Sequence, residues 1–182
     1  MAQFARPVLR RPSLAVVGAL AALAVLAIPL GALLAQSPGA RFTVVETGQT
    51  FDRLPQAVDA IGDARGTIAI APGRYAECAV QRGGFVSFLA AEPGTAIFDG
   101  RTCEGKAALV LRGSGAEVSG IVFENMRVPD FNGAGIRLEQ GDLTVALSWF
   151  RDSQQGILTA DDANGRIIID HKHRGRSPTV QG

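Results

Sequence analysis

The sequence predicts an all-β fold, a solenoid in which short parallel strands stack in successive coils. From residue 67 onwards, short apolar runs alternate with Gly, Pro, Asn and Asp, which is typical of strands joined by turns. Similar strand–turn–strand sequence patterns repeat every 21 to 27 residues. Cys78 and Cys103, the only cysteines, are also 25 residues apart. A β-sandwich or an up-and-down barrel would not repeat the same strand–turn–strand pattern at this spacing, so the solenoid is favoured.

The N-terminal 35 residues have the features of a membrane-targeting segment. Residues 1–13 are basic and contain no acid, and residues 14–35 contain no charged side chain. At about 1.5 Å per residue this apolar segment can cross a hydrocarbon core of about 30 Å, and the basic flank places the N-terminus in the cytoplasm. Two interpretations stay open: a transmembrane anchor in the inner membrane that holds a periplasmic domain, or a signal segment cleaved after Ala35 to give a periplasmic or secreted protein. Residues 36–41 predict a linker.

One short helix is predicted near the start of the exported part, after a first strand at residues 42–46. Thr50 is a candidate N-cap, and Gly62 is a candidate C-terminal stop. Apolar residues three and four apart would form one face of this helix, namely Phe51, Leu54, Val58 and Ile61. We expect the helix to cover the apolar N-terminal end of the solenoid.

Ten later segments predict strands: 67–71, 76–80, 85–91, 96–100, 107–113, 117–125, 135–140, 143–150, 156–160 and 166–170. Pro72-Gly73 predicts the corner after the first of them, with proline fixing φ and glycine free to take a positive φ. The segment that starts at residue 117 aligns with the segment that starts at residue 144, and the segment at 135 aligns with that at 156. The segment at 166 follows the similar segment at 143 by about one coil. These alignments predict which strands lie side by side.

The cysteine spacing predicts a disulfide. Strands of neighbouring coils lie about 4.8 Å apart, which is within the Cα separation that a disulfide spans. Export would place Cys78 and Cys103 in an oxidising compartment, so a bridge that staples two coils is expected. The alternative is a pair of unpaired buried thiols.

The helix "LPQAVDAI" at 54–61 and the strand and corner "GTIAIAPGRYAE" at 66–77 resemble the right-handed parallel β-helix superfamily, the pectin-lyase-like fold. In that family a strand ending in APG(T/R)Y commonly opens the first full coil. The resemblance covers residues 42–170 and implies a right-handed parallel β-helix there. The family includes polysaccharide lyases, galacturonases, uronate epimerases and phage tailspikes, so the resemblance does not choose an activity.

Lyase or epimerase chemistry, which the resemblance implies for an enzyme, needs a base and a cation next to a sugar carboxylate. Candidate residues are Asp130, Arg137, Asp161 and Asp162. The Asp161-Asp162 pair offers oxygen ligands for Ca²⁺, although "DDANG" is also ordinary turn chemistry. Asp130 lies in "VPDFNGAG", either a substrate loop or a turn. Arg137 is a base candidate by residue type. No clustered metal site and no cofactor are evident.

Three further features lie on the repeats. Glu124 and Asp152 fall at nearly equivalent positions and predict an outward ladder, although Asn125 above Asp152 fits a structural stack equally well. Trp149 and Phe150 are adjacent, so one should point into the core and the other outwards, where an aromatic ring stacks on sugars. Arg151 is a second base candidate by residue type. These features place any ligand contacts on the outer surface of the coils.

Charge and the C-terminal residues bound the function. Residues 37–170 hold all 17 acids but only 12 of the 18 bases, a net charge of −5, which argues against nucleic acid but does not exclude a neutral or cation-bridged polysaccharide as partner. Residues 171–182 are basic and aperiodic, predicting a disordered tail and a domain at 42–170 that is either complete or truncated. The hypotheses are a protein that binds or modifies polysaccharide, a non-catalytic structural solenoid that self-associates through an uncapped C-terminal coil, and an inactive fragment of a longer β-helix protein.

Overall fold

The computed structural model describes residues 40–161 and 165–170, which form fifteen β-strands and one α-helix. The helix α1 spans Leu54–Ile61. The strands are β1 Phe42–Val44, β2 Gln49–Phe51, β3 Arg65–Ile70, β4 Gly73–Tyr75, β5 Ala79–Gln81, β6 Phe85–Ala90, β7 Ala96–Asp99, β8 Ala107–Leu111, β9 Gly115–Ser119, β10 Ile121–Glu124, β11 Ala134–Leu138, β12 Asp142–Ala146, β13 Trp149–Arg151, β14 Gln155–Thr159 and β15 Ile167–Asp170.

The strands form three sheets that the chain enters in turn. Sheet 1 has the order β15-β12-β9-β6-β3-β1-β2, sheet 2 the order β13-β10-β7-β4, and sheet 3 the order β14-β11-β8-β5. Strand β1 pairs antiparallel with β2 and β3, whereas β3 to β15 pair in parallel. We call one passage through sheets 1, 2 and 3 a coil. The described residues are mostly β with parallel sheets, an arrangement compatible with an all-β solenoid.

The pairing register confirms the repeats read from the sequence. Val118 lies opposite Val145, and Phe123 lies opposite Phe150. Ile136 lies opposite Ile157 in sheet 3, and Leu143 lies opposite Ile167 in sheet 1. Each sequence alignment therefore identified a true pair of neighbouring strands.

A column of aromatic rings runs through the core beneath sheet 2. Tyr75, Phe98, Phe123 and Phe150 come from successive coils, with ring centroids 5.6, 5.7 and 5.3 Å apart along the column. Phe42 of β1 continues the column 5.1 Å beyond Tyr75. Parallel in-register pairing produces this column, because it places equivalent residues of successive coils directly above one another.

The N-terminal end of the core is covered by α1 and by the β1–β2 hairpin. The buried face of α1 consists of Leu54, Ala57, Val58 and Ile61. Gly62 ends the helix as predicted, with φ 59° and its N–H donating to the Val58 carbonyl.

The start of the helix was wrongly predicted. Thr50 lies in β2 and is not the N-cap. Arg53 occupies that position and makes no side-chain capping bond. Phe51 is the last residue of β2 and pairs with Phe42, so it is not on the helix face. The turn at Val44–Gly48 lets these residues pair with β1, which satisfies their backbone groups in the sheet instead of in a first helical turn.

Corners also differ from the predictions. Gly73 opens β4 opposite Ala96 and does not take a positive φ. An added Cβ there would lie 3.1 Å from the Tyr75 hydroxyl, which donates to the Ala71 carbonyl, so this glycine provides space for the tyrosine. The strand predicted at 76–80 begins only at Ala79. The predicted strands 117–125 and 143–150 each divide into two at a corner, giving β9 and β10, and β12 and β13.

Cys78 and Cys103 form the predicted disulfide, with a Cα–Cα distance of 5.4 Å, so the alternative of two unpaired thiols is wrong. No helix within the described ranges is long and apolar enough to span a membrane. The predicted basic N-terminus 1–13, apolar segment 14–35 and tail 171–182 lie outside the described residues, as does all of the linker 36–41 except its last two residues.

Candidate functional site

The outward surface of sheet 2 carries two in-register rows of side chains. The first row consists of Arg74, Ile97, Val122 and Trp149, and the second of Asp99, Glu124 and Arg151. These residues alternate along their strands with the aromatic column of the core, so they face outwards. We call these seven residues the sheet 2 face. Phe150 points inwards and Trp149 is 42% exposed, as the adjacent pair predicted.

Glu124 is held between two guanidinium groups. Its side chain is only 9% exposed, and each of its carboxylate oxygens has a cationic partner. Arg74 Nη1 donates to Oε1, and Arg151 Nε donates to Oε2 at 2.9 Å. Both arginine side chains remain 54% exposed. The face therefore offers guanidinium groups to solvent and keeps its central carboxylate covered.

Asp99 and Arg74 have fixed protonation states near neutral pH. Asn125 Nδ2 donates to Asp99 Oδ1 at 2.8 Å, and Arg74 Nη1 donates to Oδ2 at 2.7 Å; together they hold the pKa of Asp99 below its ordinary value. Hydrogen bonds to Glu124 and then to Asp99 raise the pKa of Arg74. Asp99 is therefore a poor proton donor and Arg74 a poor proton acceptor, which disfavours acid–base catalysis by this pair.

Arg151 has hydrogen-bonding capacity to spare. It donates to Glu124 through Nε, and within the described part of the chain its Nη1 and Nη2 make no hydrogen bond. Trp149 lies two residues away on the same side of β13, about 7 Å along the strand. The planar guanidinium group of Arg151 and the exposed indole of Trp149 thus lie on the same side of β13.

A second ionic cluster lies beside sheet 3, and its charged groups pair mainly with one another. Glu139 accepts from Lys106 Nζ at 2.6 Å and from Arg112 Nε at 2.5 Å, and Arg112 also pairs with Glu104. Burial alone would raise the pKa of Glu139, but the Lys106 and Arg112 hydrogen bonds outweigh it and lower that pKa. Arg137, a predicted base candidate, lies here; its Nε is 3.9 Å from Glu139 Oε1 and makes no hydrogen bond within the described ranges. Its neighbours therefore belong to this cluster and not to the sheet 2 face.

The other predicted site residues do not join the sheet 2 face. Asp130 is exposed, and its Oδ1 accepts from the Asn132 N–H at 3.2 Å within its own turn. Asp161 lies in the turn after β14, and Asp162 lies outside the described residues. Within residues 40–161 and 165–170, no group of three or more His, Cys, Asp or Glu side chains is placed to hold a metal ion.

The sequence predictions named only part of the sheet 2 face. Glu124 was singled out from the repeats, Trp149 from its adjacency to Phe150 and Arg151 by residue type, but Arg74 and Asp99 were missed. Asp99 precedes Glu124 by 25 residues, which is also the spacing of the two cysteines. This offset could have predicted that Asp99 lies beside Glu124. Glu124 lies in register with Arg151 and not with Asp152, which follows one residue later.

Comparison with known proteins identifies no relative of this chain. No family model matches it, and neither the curated proteins nor the solved structures include a significant match. The site must therefore be interpreted from its own geometry.

Proposed function

We propose that this protein is a right-handed parallel β-helix of the pectin-lyase-like kind that binds a polysaccharide on its sheet 2 face. The observation that carries the proposal is that the exposed Trp149 indole and Arg151, whose Nη groups make no hydrogen bond to the described residues, lie on one side of β13. An indole packs against the apolar face of a sugar ring, and a guanidinium fork binds a carboxylate in bidentate fashion. Together they suit a glycan that contains acidic sugars.

Binding without turnover is the better-supported form of this proposal. The pKa values of Asp99 and Arg74 are shifted away from neutrality in the directions that oppose proton transfer. A lyase or epimerase would need a base that can exchange a proton near the working pH. If the chain is catalytic, Arg137 and Asp130 remain its sequence-based candidates, and Ca²⁺ at Asp161 and Asp162 its candidate cation.

Export completes the proposal. Residues 14–35 would deliver the β-helix domain to the periplasmic side of the inner membrane, where an envelope or extracellular polysaccharide is the ligand. A phosphatase that is active only outside the cytoplasm, fused after residue 170, tests this location. Activity is expected, and its absence would contradict the proposed topology.

Binding is tested on immobilised acidic and neutral polysaccharides, with and without Ca²⁺. We expect Trp149→Ala and Arg151→Gln each to weaken binding at least tenfold. The matched control is Arg166→Gln, which removes an arginine that is 73% exposed but lies in the segment leading into sheet 1. Absorbance of unsaturated products, recorded in the same samples, detects lyase turnover. A folded wild-type protein that binds no polysaccharide would refute the proposal.

One observation favours a second function, end-to-end self-association. An apolar cavity of about 570 Å³ opens at the last described coil, and Leu147, Phe150, Ile157 and Ile169 are among its lining residues. In the described part of the chain β13, β14 and β15 are each the last strand of their sheet, and a free strand edge accepts further strands. Because Trp149 lines both this cavity and the sheet 2 face, Leu147→Glu is the discriminating variant. Concentration-dependent sedimentation that this variant abolishes, without a change in glycan binding, would support self-association.

A further inference from the structure

The loop between β10 and β11 is fastened by a side chain from the next coil. Gln154 Oε1 accepts from the backbone N–H of Val128 at 2.9 Å and of Gly133 at 2.8 Å, and its Nε2 donates to the Val128 carbonyl at 3.1 Å. The Ser153 hydroxyl accepts from the Met126 N–H at 3.1 Å. One glutamine therefore ties Val128, inside the loop, to Gly133 at its end and fixes the shape of the segment between them.

This fixed loop presents a strained aromatic residue to solvent. Phe131 is 76% exposed, and its φ of 66° lies in the left-handed region. A bulky residue rarely adopts this conformation, and residues held in such conformations cluster at binding sites. Folding alone would favour glycine or asparagine here, because these residues accept a positive φ at lower cost. The phenyl ring costs stability and contributes little burial, which points to a role outside folding.

The loop lies at the edge of the sheet 2 face. Arg127 Nη2 donates to the Asp152 carbonyl at 3.3 Å, and Gln154 follows Arg151 by three residues. Glu124 and Arg151 are the last residues of β10 and β13, so the loop stands where these strands end.

We propose that Phe131 is a second aromatic anchor for the polysaccharide and that Gln154 is a positioning residue that holds it. This inference rests on the proposed function, since it adds a specificity-determining residue to the same face. A phenyl ring packs against the apolar face of a sugar as an indole does. With Trp149 and Arg151 on the face and Phe131 at its edge, the ligand is an oligosaccharide or a longer chain and not a single sugar.

Phe131→Gly separates binding from folding, because its two effects have opposite signs. Glycine relieves the strain at positive φ, so the melting temperature should rise by a few degrees. Removal of the ring should weaken binding of the acidic polysaccharide about tenfold. Phe131→Tyr is the conservative control and should keep the affinity, whereas Phe131→Leu should lose it because an aliphatic side chain lacks the flat ring.

Gln154 is tested through its coupling to Phe131. Gln154→Ala removes all three loop hydrogen bonds and should weaken binding about as much as Phe131→Gly. The double variant should bind no more weakly than Phe131→Gly alone, because the glutamine acts through the ring. Gln154→Glu keeps both acceptor interactions but places a carboxylate oxygen against the Val128 carbonyl in place of the Nε2 donor, so it should recover only part of the affinity lost in Gln154→Ala. Additive losses in the double variant would refute the positioning role.

The remaining outcomes separate this inference from the proposed function. If wild-type protein binds no polysaccharide, both are refuted. If it binds and Trp149→Ala loses binding while Phe131→Gly binds like wild type, only the role of Phe131 is refuted. If Phe131→Gly has both a lower melting temperature and weaker binding than the wild type, the role of Phe131 is structural instead. Wild-type binding to neutral phosphatidylcholine vesicles that Phe131→Gly abolishes, with polysaccharide binding intact, would make Phe131 a membrane contact and overturn the inference.

Discussion

Alanine at Gly84 tests whether close backbone contact between neighbouring coils controls the stability of the fold. Gly84 has a φ of +61°, and Gly105 provides a matched control with a φ of +62°. An added Cβ at Gly84 would lie 2.1 Å from the Ala64 carbonyl oxygen and 2.6 Å from that of Gly62, whereas at Gly105 nothing lies within 4 Å. The two variants share the backbone penalty and differ in the collision.

The expected costs follow from these contacts. A non-glycine residue at this φ costs about 1 kcal/mol, which is the whole effect expected for Gly105→Ala. At Gly84 the backbone must move by at least about 0.9 Å, because the added Cβ would lie 2.1 Å from the Ala64 oxygen and real Cβ atoms essentially never lie within 3.0 Å of such an atom. That movement disturbs the Phe85 N–H bond to Ala64 at 2.9 Å and the Ser114 N–H bond to Gly84 at 2.7 Å. With about 1 kcal/mol for each bond and about 1–3 kcal/mol for overpacking, Gly84→Ala should cost about 4–6 kcal/mol.

Urea unfolding followed by circular dichroism measures both costs. With a slope of about 2 kcal/mol per molar urea, the midpoint should fall by about 2–3 M for Gly84→Ala and by about 0.5 M for Gly105→Ala. Equal shifts of the two midpoints would refute the reasoning, since they would show that the strands of sheet 1 are not packed as closely at Gly84 as the structure places them.

Three further predictions use the same assay. Replacing Cys78 and Cys103 with serine should lower the free energy of unfolding by about 3.5 kcal/mol, because the disulfide no longer restricts a loop of 25 residues in the unfolded chain. A reductant should lower the urea midpoint of the wild type and leave that of the serine variant unchanged. Phe123→Ala should cost about 3–5 kcal/mol because Phe123 lies inside the aromatic column, and a loss below about 1 kcal/mol would show that the core repacks. Asp99 has a pKa lowered by Asn125 and Arg74, so its contribution is present above the unfolded pKa of about 3.9 and is lost as pH falls through the lower folded value. Asp99→Asn should therefore flatten the decline of the urea midpoint between pH 5 and pH 2, and an unchanged decline would contradict the assignment.

Repetition made the parallel pairing of this fold predictable. When coils stack in register, neighbouring strands share their apolar pattern, so the offsets seen at Val118 and Val145, and at Ile136 and Ile157, are also pairing partners. The disulfide was predictable for the same reason, because a separation of about one coil brings two cysteines of neighbouring coils together: Cys78 directly precedes β5, and Cys103 lies between β7 and β8.

Local patterns were less informative where two structures compete for the same residues. Phe51 fits the apolar spacing of α1, yet it pairs with Phe42 in a hairpin, because a tertiary strand partner outweighs a weak helical pattern. Corners were merged into longer strands because apolar residues continue through them: Leu147 lies at the corner between β12 and β13 with a φ of 47°. Phe131 illustrates the same limit, since no sequence pattern shows that a phenylalanine is held at positive φ by Gln154.

The geometry that builds the core also explains where ligand-binding capacity occurs. In-register stacking places Asp99 directly beside Glu124, and such like charges destabilise a sheet unless a cation lies between them. Arg74 meets this need by pairing with both acids, which commits its Nη1 to the fold. Arg151 and Trp149 end their rows at β13 in the described coils, so each has a neighbouring coil on one side only.

Among the described residues, the Nη groups of Arg151 therefore lack hydrogen-bond partners because Arg151 lies on the last strand of sheet 2. A strand added to β13 would compete for the same groups, because it would occupy the side of Trp149 and Arg151 on which no neighbouring strand is described. Polysaccharide binding and end-to-end association should consequently exclude each other. Excess acidic polysaccharide should dissociate any oligomer of the wild-type protein and should leave an oligomer of Arg151→Gln intact.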